Sequence, residues 1–349
     1  MRFTTTDRGL VEFTPINKDR VLMYNCGPTV YSDPHIGNFR SFLFADLLRR
    51  SLEFNGYSVY QVMNITDVGH LTSDSFPDAT GEDKIQAKAE SLNLKVNEVI
   101  SKYSEKFFSD ANKLRILPAH KYPVASSYIA EMLAMIAILV DKGNAYVIDG
   151  EAYFDTKTFQ GHGVLSKKKI DMNIDGARVA ANSKKKNQAD FALWKTDLNH
   201  IITWDPKSFG IEYLKPGFPG WHIECSAMAN SLLGPQIDIH TGGEDNIFPH
   251  HECEIAQSEC ANGVKFVNYW IHARHLLVDG KKMSKRDGTL LTLDDVEELG
   301  FTALDLRYLF ITNRYRSPLN FNIDGLKAAR KSLTRIKNFY DRLLTGKSK

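Results

Sequence analysis

The stretch Arg20-Val21-Leu22-Met23-Tyr24-Asn25-Cys26-Gly27-Pro28, continuing through Thr29-Val30-Tyr31-Ser32-Asp33 to Pro34-His35-Ile36-Gly37-Asn38, holds the first two parts of a recognisable unit. Arg20 to Tyr24 carries the apolar core of a short buried strand, and the glycine, prolines and aspartate of Cys26 to Pro34 make a loop. From Ser41 to Asn55, apolar residues at Phe42, Ala45, Leu48 and Leu52 and a terminal Asn-Gly predict an amphipathic helix. Tyr57 to Ile65 then reads as a second strand. Strand, loop, helix, strand is the start of an α/β fold with a doubly wound (Rossmann-like) parallel sheet, in which ligands gather at the carboxyl ends of strands.

Working outward, Val96 to Leu114 reads as another helix, and Pro118 closes that section. An insertion follows, with a helix from Ser126 to Val140, a hairpin-like pair of strands around Asn144 to Phe154, and lysine triplets at Lys167 to Lys169 and Lys184 to Lys186. The sheet resumes at Ile237-Asp238-Ile239-His240, followed by Thr241-Gly242-Gly243, and again at Phe266 to His272. A mixed tail after Leu276 ends in a helix from Leu326 to Leu344. The expected division is therefore 1–118 and 205–275 for the two halves of a nucleotide-binding domain, 119–204 for an inserted domain, and 276–349 for a basic loop and a C-terminal helical segment.

Composition narrows the classes. At 349 residues, with 43% hydrophobic and 25% charged residues, the chain is long enough for a large core and too ordinary in balance for global disorder. The longest uncharged apolar run, Met132 to Val140, falls short of the roughly 20 residues a membrane helix needs. Met1 to Phe13 is polar, with no secretory apolar core, so a cytoplasmic protein is expected. Four scattered cysteines, Cys26, Cys225, Cys253 and Cys260, do not form a disulfide framework and leave metal binding, catalysis or plain burial. A net charge of +2 announces no nucleic acid by itself, but the lysine triplets and the basic run from Asn322 to Lys349 would suit a phosphate backbone.

Three groups of residues carry chemistry. Pro34-His35-Ile36-Gly37-Asn38 feeds a helix N-terminus, where a histidine can donate to phosphate oxygens and a glycine lets a nucleotide approach closely. Lys282-Met283-Ser284-Lys285-Arg286, followed by Asp287-Gly288, could fold over a triphosphate and neutralise charge as pyrophosphate departs. Cys26, Cys225, His250 and Glu254 could make a zinc site, with His250 and Glu254 four apart on one helical face. Spacing alone does not choose the ligands, because His251, Glu252 and Cys253 are equally available.

The histidine loop and the lysine loop, in this order and far apart, resemble the two signatures of class I aminoacyl-tRNA synthetases. More specifically, Met23 to Tyr31, Asn64-Ile65-Thr66-Asp67, Asp190 to Lys195, Gly220 to Met228, Phe248-Pro249-His250-His251-Glu252 and Tyr315-Arg316-Ser317 resemble the cysteinyl-tRNA synthetase family over nearly the whole chain. The resemblance implies the class I synthetase fold, zinc held by Cys26, Cys225, His250 and Glu254, and an amino-acid pocket around Thr66, Trp221 and His240. It further implies Gly243 and Asp245 near the adenosine and His35, Gly37, Asn38, Lys282 and Lys285 at the phosphates. L-cysteine, ATP with Mg2+ and the acceptor end of tRNA are the partners it implies, with a monomer as the default. Family members continue into an anticodon-binding region, whereas this sequence stops after its first basic helix. Two positions depart from the family pattern: Asn38 stands where class I enzymes most often have a second histidine, and Arg286 where a serine is usual. Two alternatives remain open, a stand-alone ligase joining cysteine to a small amine, as in the mycothiol pathway, and a non-catalytic synthetase-like paralogue.

Overall fold

In a computed structural model, which describes residues 1–73, 80–167, 184–197, 200, 202–283 and 289–346, four parallel strands form the frame. Val21–Asn25 lies between Val59–Met63 on one side and Ile237–Gly243 on the other, and Val267–Ala273 pairs outside the last. These strands are buried almost throughout, which is why they read as apolar runs and not as alternating ones. Isolated parallel bridges from Val62 to Lys121 and from Ile65 to Val124 extend the sheet beyond Val59–Met63.

Parallel neighbours require a crossover, and the first is the helix Ile36–Phe54. It starts five residues before the predicted Ser41, because His35 caps it and Ile36 and Phe39 already point into the core. Full burial of Phe39 alone is worth about 1.5–3 kcal/mol. The helix also anchors the tail. Arg40 Nη1 donates to the His275 carbonyl (2.7 Å) and Nη2 to that of Ser317 (2.6 Å), while Asp46 pairs with Arg307 at 2.9 Å.

The inserted segment contributes the helix Ile129–Asp141 and a separate antiparallel sheet ordered Phe218–Pro219, Phe191–Lys195, Glu151–Phe154, Ala145–Ile148. This sheet reaches further along the chain than the expected boundary at 204, since Pro219 pairs with Trp194 and a bridge joins Trp204 to Gly217. The physical reason is that Phe191–Lys195 would otherwise present an unpaired edge. Glu151 closes the sheet internally. Its carboxylate accepts from Thr196 N–H and O–H (3.2 and 3.0 Å), Tyr153 O–H (2.9 Å) and Lys184 Nζ (3.0 Å). Burial would raise the Glu151 pKa, but Lys184 and these hydroxyl and amide donors outweigh it and hold it below the ordinary value. A carboxylate with a depressed folded pKa stabilises above its unfolded pKa and loses that contribution as pH falls through the folded one. Urea midpoints should therefore drop on acidification below about pH 4.5, and Glu151→Gln should cost about 1–3 kcal/mol at neutral pH while flattening that acid dependence.

After the short strand Leu276–Val278 come Lys281–Lys282, two helices (Leu293–Glu298 and Ala303–Ile311), the strand Leu319–Phe321 and the helix Ile323–Thr345. The apolar residues of this last helix are buried only near its start. Leu326 and Ala329 are buried, whereas Ile336, Tyr340 and Leu343 are 52%, 59% and 65% exposed. No helix among the described residues is long and apolar enough to cross a membrane.

Candidate active site and metal centre

Val21–Asn25 and Ile237–Gly243 run side by side, yet the next strand after each lies on its far side. Such a reversal opens a crevice at the carboxyl ends of the two strands. A cleft of about 680 Å³ lies there, with Cys26, His35, Gly37, Asn38, Trp221, Gly243 and Asp245 in its walls.

One wall is the start of the helix Ile36–Phe54. The His35 N–H donates to Asn38 Oδ1 (3.1 Å), and the Asn38 N–H donates to His35 Nδ1 (3.2 Å). With Nδ1 accepting, the proton of a neutral His35 sits on Nε2, where it can be donated onward. Asn38 thus has a structural task as well, completing a capping box. The far end of the lysine segment reaches this same turn: Leu291 O accepts from Ile36 N–H at 2.8 Å, and Thr292 bridges His35. Met283 sits over Gly37, where any Cβ would come within 2.8 Å of Met283 Cε. Lys282 ends the strand Lys281–Lys282, and Lys285 and Arg286 lie outside the described residues.

The opposite wall is built on the end of Ile237–Gly243. Gly243 N–H donates to Asn246 Oδ1 (2.9 Å), and Asp245 is 3.7 Å from His275 Nδ1.

Cys26 belongs to the cleft wall, and a buried cluster extends inward from it. Its N–H donates to Thr241 O (3.2 Å) and that of Gly27 to Asn64 Oδ1 (2.9 Å). A Cβ at Gly27 would stand 1.7 Å from the Asn64 carbonyl oxygen, so only glycine permits this close approach. Cys26, His250, His251 and Glu254 each present a donor atom, all within 4.8 Å of one another. Cys225, buried on the helix Trp221–Leu233, is not one of these four but lies beside Cys26 and His250, close enough for its thiol to interact with both. His250 and Glu254 straddle the start of the helix Glu252–Asn262, with Nε2 and Oε1 3.0 Å apart.

Two of the competing ligands are spoken for. Glu252 accepts backbone N–H groups from Gly163 (3.0 Å), Leu165 (3.0 Å) and Ser166 (2.6 Å), tying the metal helix to the insertion. Cys253 packs into the apolar core. His251 is inside the cluster, a placement the spacing had left open.

The expected amino-acid pocket divides in two. Trp221 lines the cleft and is stacked between His70 (4.6 Å) and His250 (4.4 Å). Thr66 and His240 are fully buried. Thr66 donates to Glu224 Oε2 (3.2 Å), and His240 Nε2 lies 3.0 Å from Glu254 Oε2, so His240 holds the carboxylate from behind.

Charge is balanced by protons in the cluster. Burial pulls His250 down, but the Glu254 carboxylate and Cys225 overcome it and hold the imidazole at about 10. Burial pushes Glu254 up, yet His240 and His250 bring it to about 2. Burial raises the Cys26 thiol, and the Cys225 thiol is raised further, first by its S–H donating toward the Cys26 sulfur and then by burial. Glu254 Oε1 is buried with no aligned hydrogen bond. The Cys26 sulfur, imidazole nitrogen and an under-partnered carboxylate oxygen within 4.8 Å of one another, with the Cys225 sulfur alongside, are a donor set that fits zinc.

A family model described as the catalytic domain of class I (C) tRNA synthetases matches residues 12–331. The chain belongs to that family. Membership makes it an ATP-dependent aminoacyl-tRNA ligase by class. It is 44% identical over 348 residues to the cysteine–tRNA ligase of Protochlamydia amoebophila, covering 98% of this chain and 69% of that protein. It is 45% identical over 346 residues to that of Chlamydia abortus, covering 98% and 68%. The fold matches Mycobacterium tuberculosis methionyl-tRNA synthetase in complex with methionyl-adenylate at a TM-score of 0.62 and 12% identity, over 89% of this chain and 68% of that one. The sequence pattern had not singled out His222, 2.9 Å from His250 Nδ1, or Glu224 and His272. The available signal was polar residues at buried positions of otherwise apolar elements, Glu224 within Trp221–Leu233 and His272 within Val267–Ala273.

Proposed function

We propose that the chain activates L-cysteine with ATP to give cysteinyl-adenylate and pyrophosphate, and transfers the cysteinyl group to tRNA(Cys). The observation that carries this reading is the cluster of Cys26, His250, His251 and Glu254 donor atoms, with buried Cys225 beside Cys26 and His250, opening through Cys26 into the cleft that His35 and Gly37 line. The identity to cysteine–tRNA ligases supports it independently.

Cys26, Cys225, His250 and Glu254 would hold zinc, with His240 fixing Glu254. Zinc bound there would supply a borderline-soft Lewis acid that prefers the substrate's sulfur to the hydroxyl of serine. Trp221 walls the amino-acid end of the cleft, and Thr66 lies behind it. The substrate carboxylate attacks the α-phosphorus, and the bond to the β-phosphate oxygen breaks. That step needs positioning and positive charge more than a general base. His35 Nε2 and the Asn38 amide would donate to phosphate oxygens, Gly37 would admit the nucleotide, and Lys282 and Lys285 would supply charge. Gly243 and Asp245 take the adenosine side, and Mg2+ accompanies ATP.

Purified chain should contain about one zinc per molecule, catalyse cysteine-dependent exchange of pyrophosphate into ATP, and charge tRNA(Cys). Exchange with no charging of tRNA(Cys) would refute the acceptor assignment. Absence of both metal and exchange would refute the whole reading.

A further inference from the structure

His251 is fully buried, and each ring nitrogen faces a partner. Nε2 lies 3.1 Å from the Cys26 sulfur, and Nδ1 lies 2.7 Å from His272 Nε2. His272 continues the line, its Nδ1 2.6 Å from Thr6 Oγ1. Thr6 sits in the turn between the paired strands Arg2–Thr5 and Gly9–Glu12, and its own N–H donates to Trp270 O (2.8 Å), which pins the turn against the strand carrying His272. Four side chains from distant stretches thus form an unbroken line from a half-buried hydroxyl to the sulfur.

Each link has one proton, so neutral rings allow two directions. A protonated sulfur would donate to His251 Nε2, and each ring would pass its N–H outward to the Thr6 oxygen. A thiolate cannot donate. The line must then run inward, Thr6 O–H to His272 Nδ1, His272 Nε2–H to His251 Nδ1, and His251 Nε2–H to sulfur. In that arrangement His251 Nε2 has no lone pair for a metal.

Distance alone does not choose, since the His251 donor atom lies within 4.8 Å of those of Cys26, His250 and Glu254; the direction of the hydrogen-bonded line does. A further protein ligand would also take the place the substrate's sulfur needs.

Resting on the reading that Cys26 is a metal-bound thiolate, we propose that His251 is a positioning residue and not a ligand: it donates an N–H to the Cys26 sulfur at the end of a relay that begins at Thr6. The donated hydrogen withdraws charge from the sulfur, orients it, and leaves the metal readier to accept the incoming thiol.

The test uses the full chain loaded with cobalt(II) in place of zinc, comparing His251→Phe, His251→Gln and Thr6→Val. Expected for His251→Phe are one bound metal, an intact tetrahedral d–d spectrum, a thiolate-to-metal charge-transfer band moved to longer wavelength, and affinity lower by about 10–100-fold. His251→Gln, which keeps an N–H, should restore the band toward its wild-type position. Thr6→Val should shift it in the same direction as His251→Phe by less, and it decides the matter should the buried substitution fail to fold. Loss of the tetrahedral spectrum in His251→Phe would make His251 a ligand and overturn the proposal, as would an unmoved band in Thr6→Val. A wild-type chain that takes up no cobalt overturns the metal reading, and the relay with it.

Discussion

Cys225→Ser is expected to lower kcat/KM for cysteine in pyrophosphate exchange by at least about 10³-fold, a loss of roughly 4 kcal/mol at ~1.4 kcal/mol per tenfold. The substitution changes one buried atom that lies beside both Cys26 and His250. Serine oxygen is a far poorer zinc donor than thiolate, and the remaining imidazole and carboxylate are left to pair with each other, as they already do at 3.0 Å. Discrimination against serine should fail together with activity. Shape alone distinguishes near-isosteres by about 10²-fold, whereas rejection by about 10⁴ needs ~5.5 kcal/mol and so a bond that serine cannot make. Metal analysis of the variant should show substoichiometric zinc, and the wild type treated with chelator should behave the same way. Full activity with full serine rejection in Cys225→Ser would remove the metal from the account.

His35→Asn should lower kcat for adenylate formation by about 10²–10³-fold with little change in KM for cysteine, as expected for a donor that acts where charge develops. The choice of asparagine separates two jobs. His35 caps the helix Ile36–Phe54 through Nδ1, and asparagine is among the best N-caps, so the variant keeps the fold's local support while losing the reach of Nε2. His35→Ala should show the same catalytic loss and in addition about 1 kcal/mol of lost stability in urea titration. A nearly wild-type rate in His35→Asn would reduce His35 to a cap.

The helix at the front of the site shows how far local pattern reaches. Apolar spacing from Phe42 to Leu52 predicted it, but its true start at Ile36 depends on a reciprocal bond between His35 and Asn38 that periodicity does not encode. The same bond explains how asparagine is accommodated where class I enzymes most often carry histidine: its oxygen accepts the His35 N–H. The last helix, Ile323–Thr345, contains the expected Leu326 to Leu344, yet from Ile336 onward its apolar residues meet solvent, because period reports which face is apolar and not whether anything lies against it. Phe218–Pro219, beyond the expected boundary at 204, pairs with Phe191–Lys195, a contact between stretches far apart in the chain that no local pattern reports.

What the amino-acid order determined by itself was the opening strand, loop and helix and the order of the histidine and lysine loops, which follow from local spacing and residue chemistry. Spacing left His251, Glu252 and Cys253 open as ligands, and only the family resemblance favoured Cys26, Cys225, His250 and Glu254. Tertiary structure alone decided that Glu252 is consumed by the Gly163 to Ser166 backbone, that His240 backs Glu254, and that His251 connects through His272 to Thr6. Those contacts arise where parallel strands from opposite ends of the chain come into register, Tyr24 with His240 and Gly242 with His272. Register between such strands is set by the packing of whole elements, and no short-range periodicity carries it.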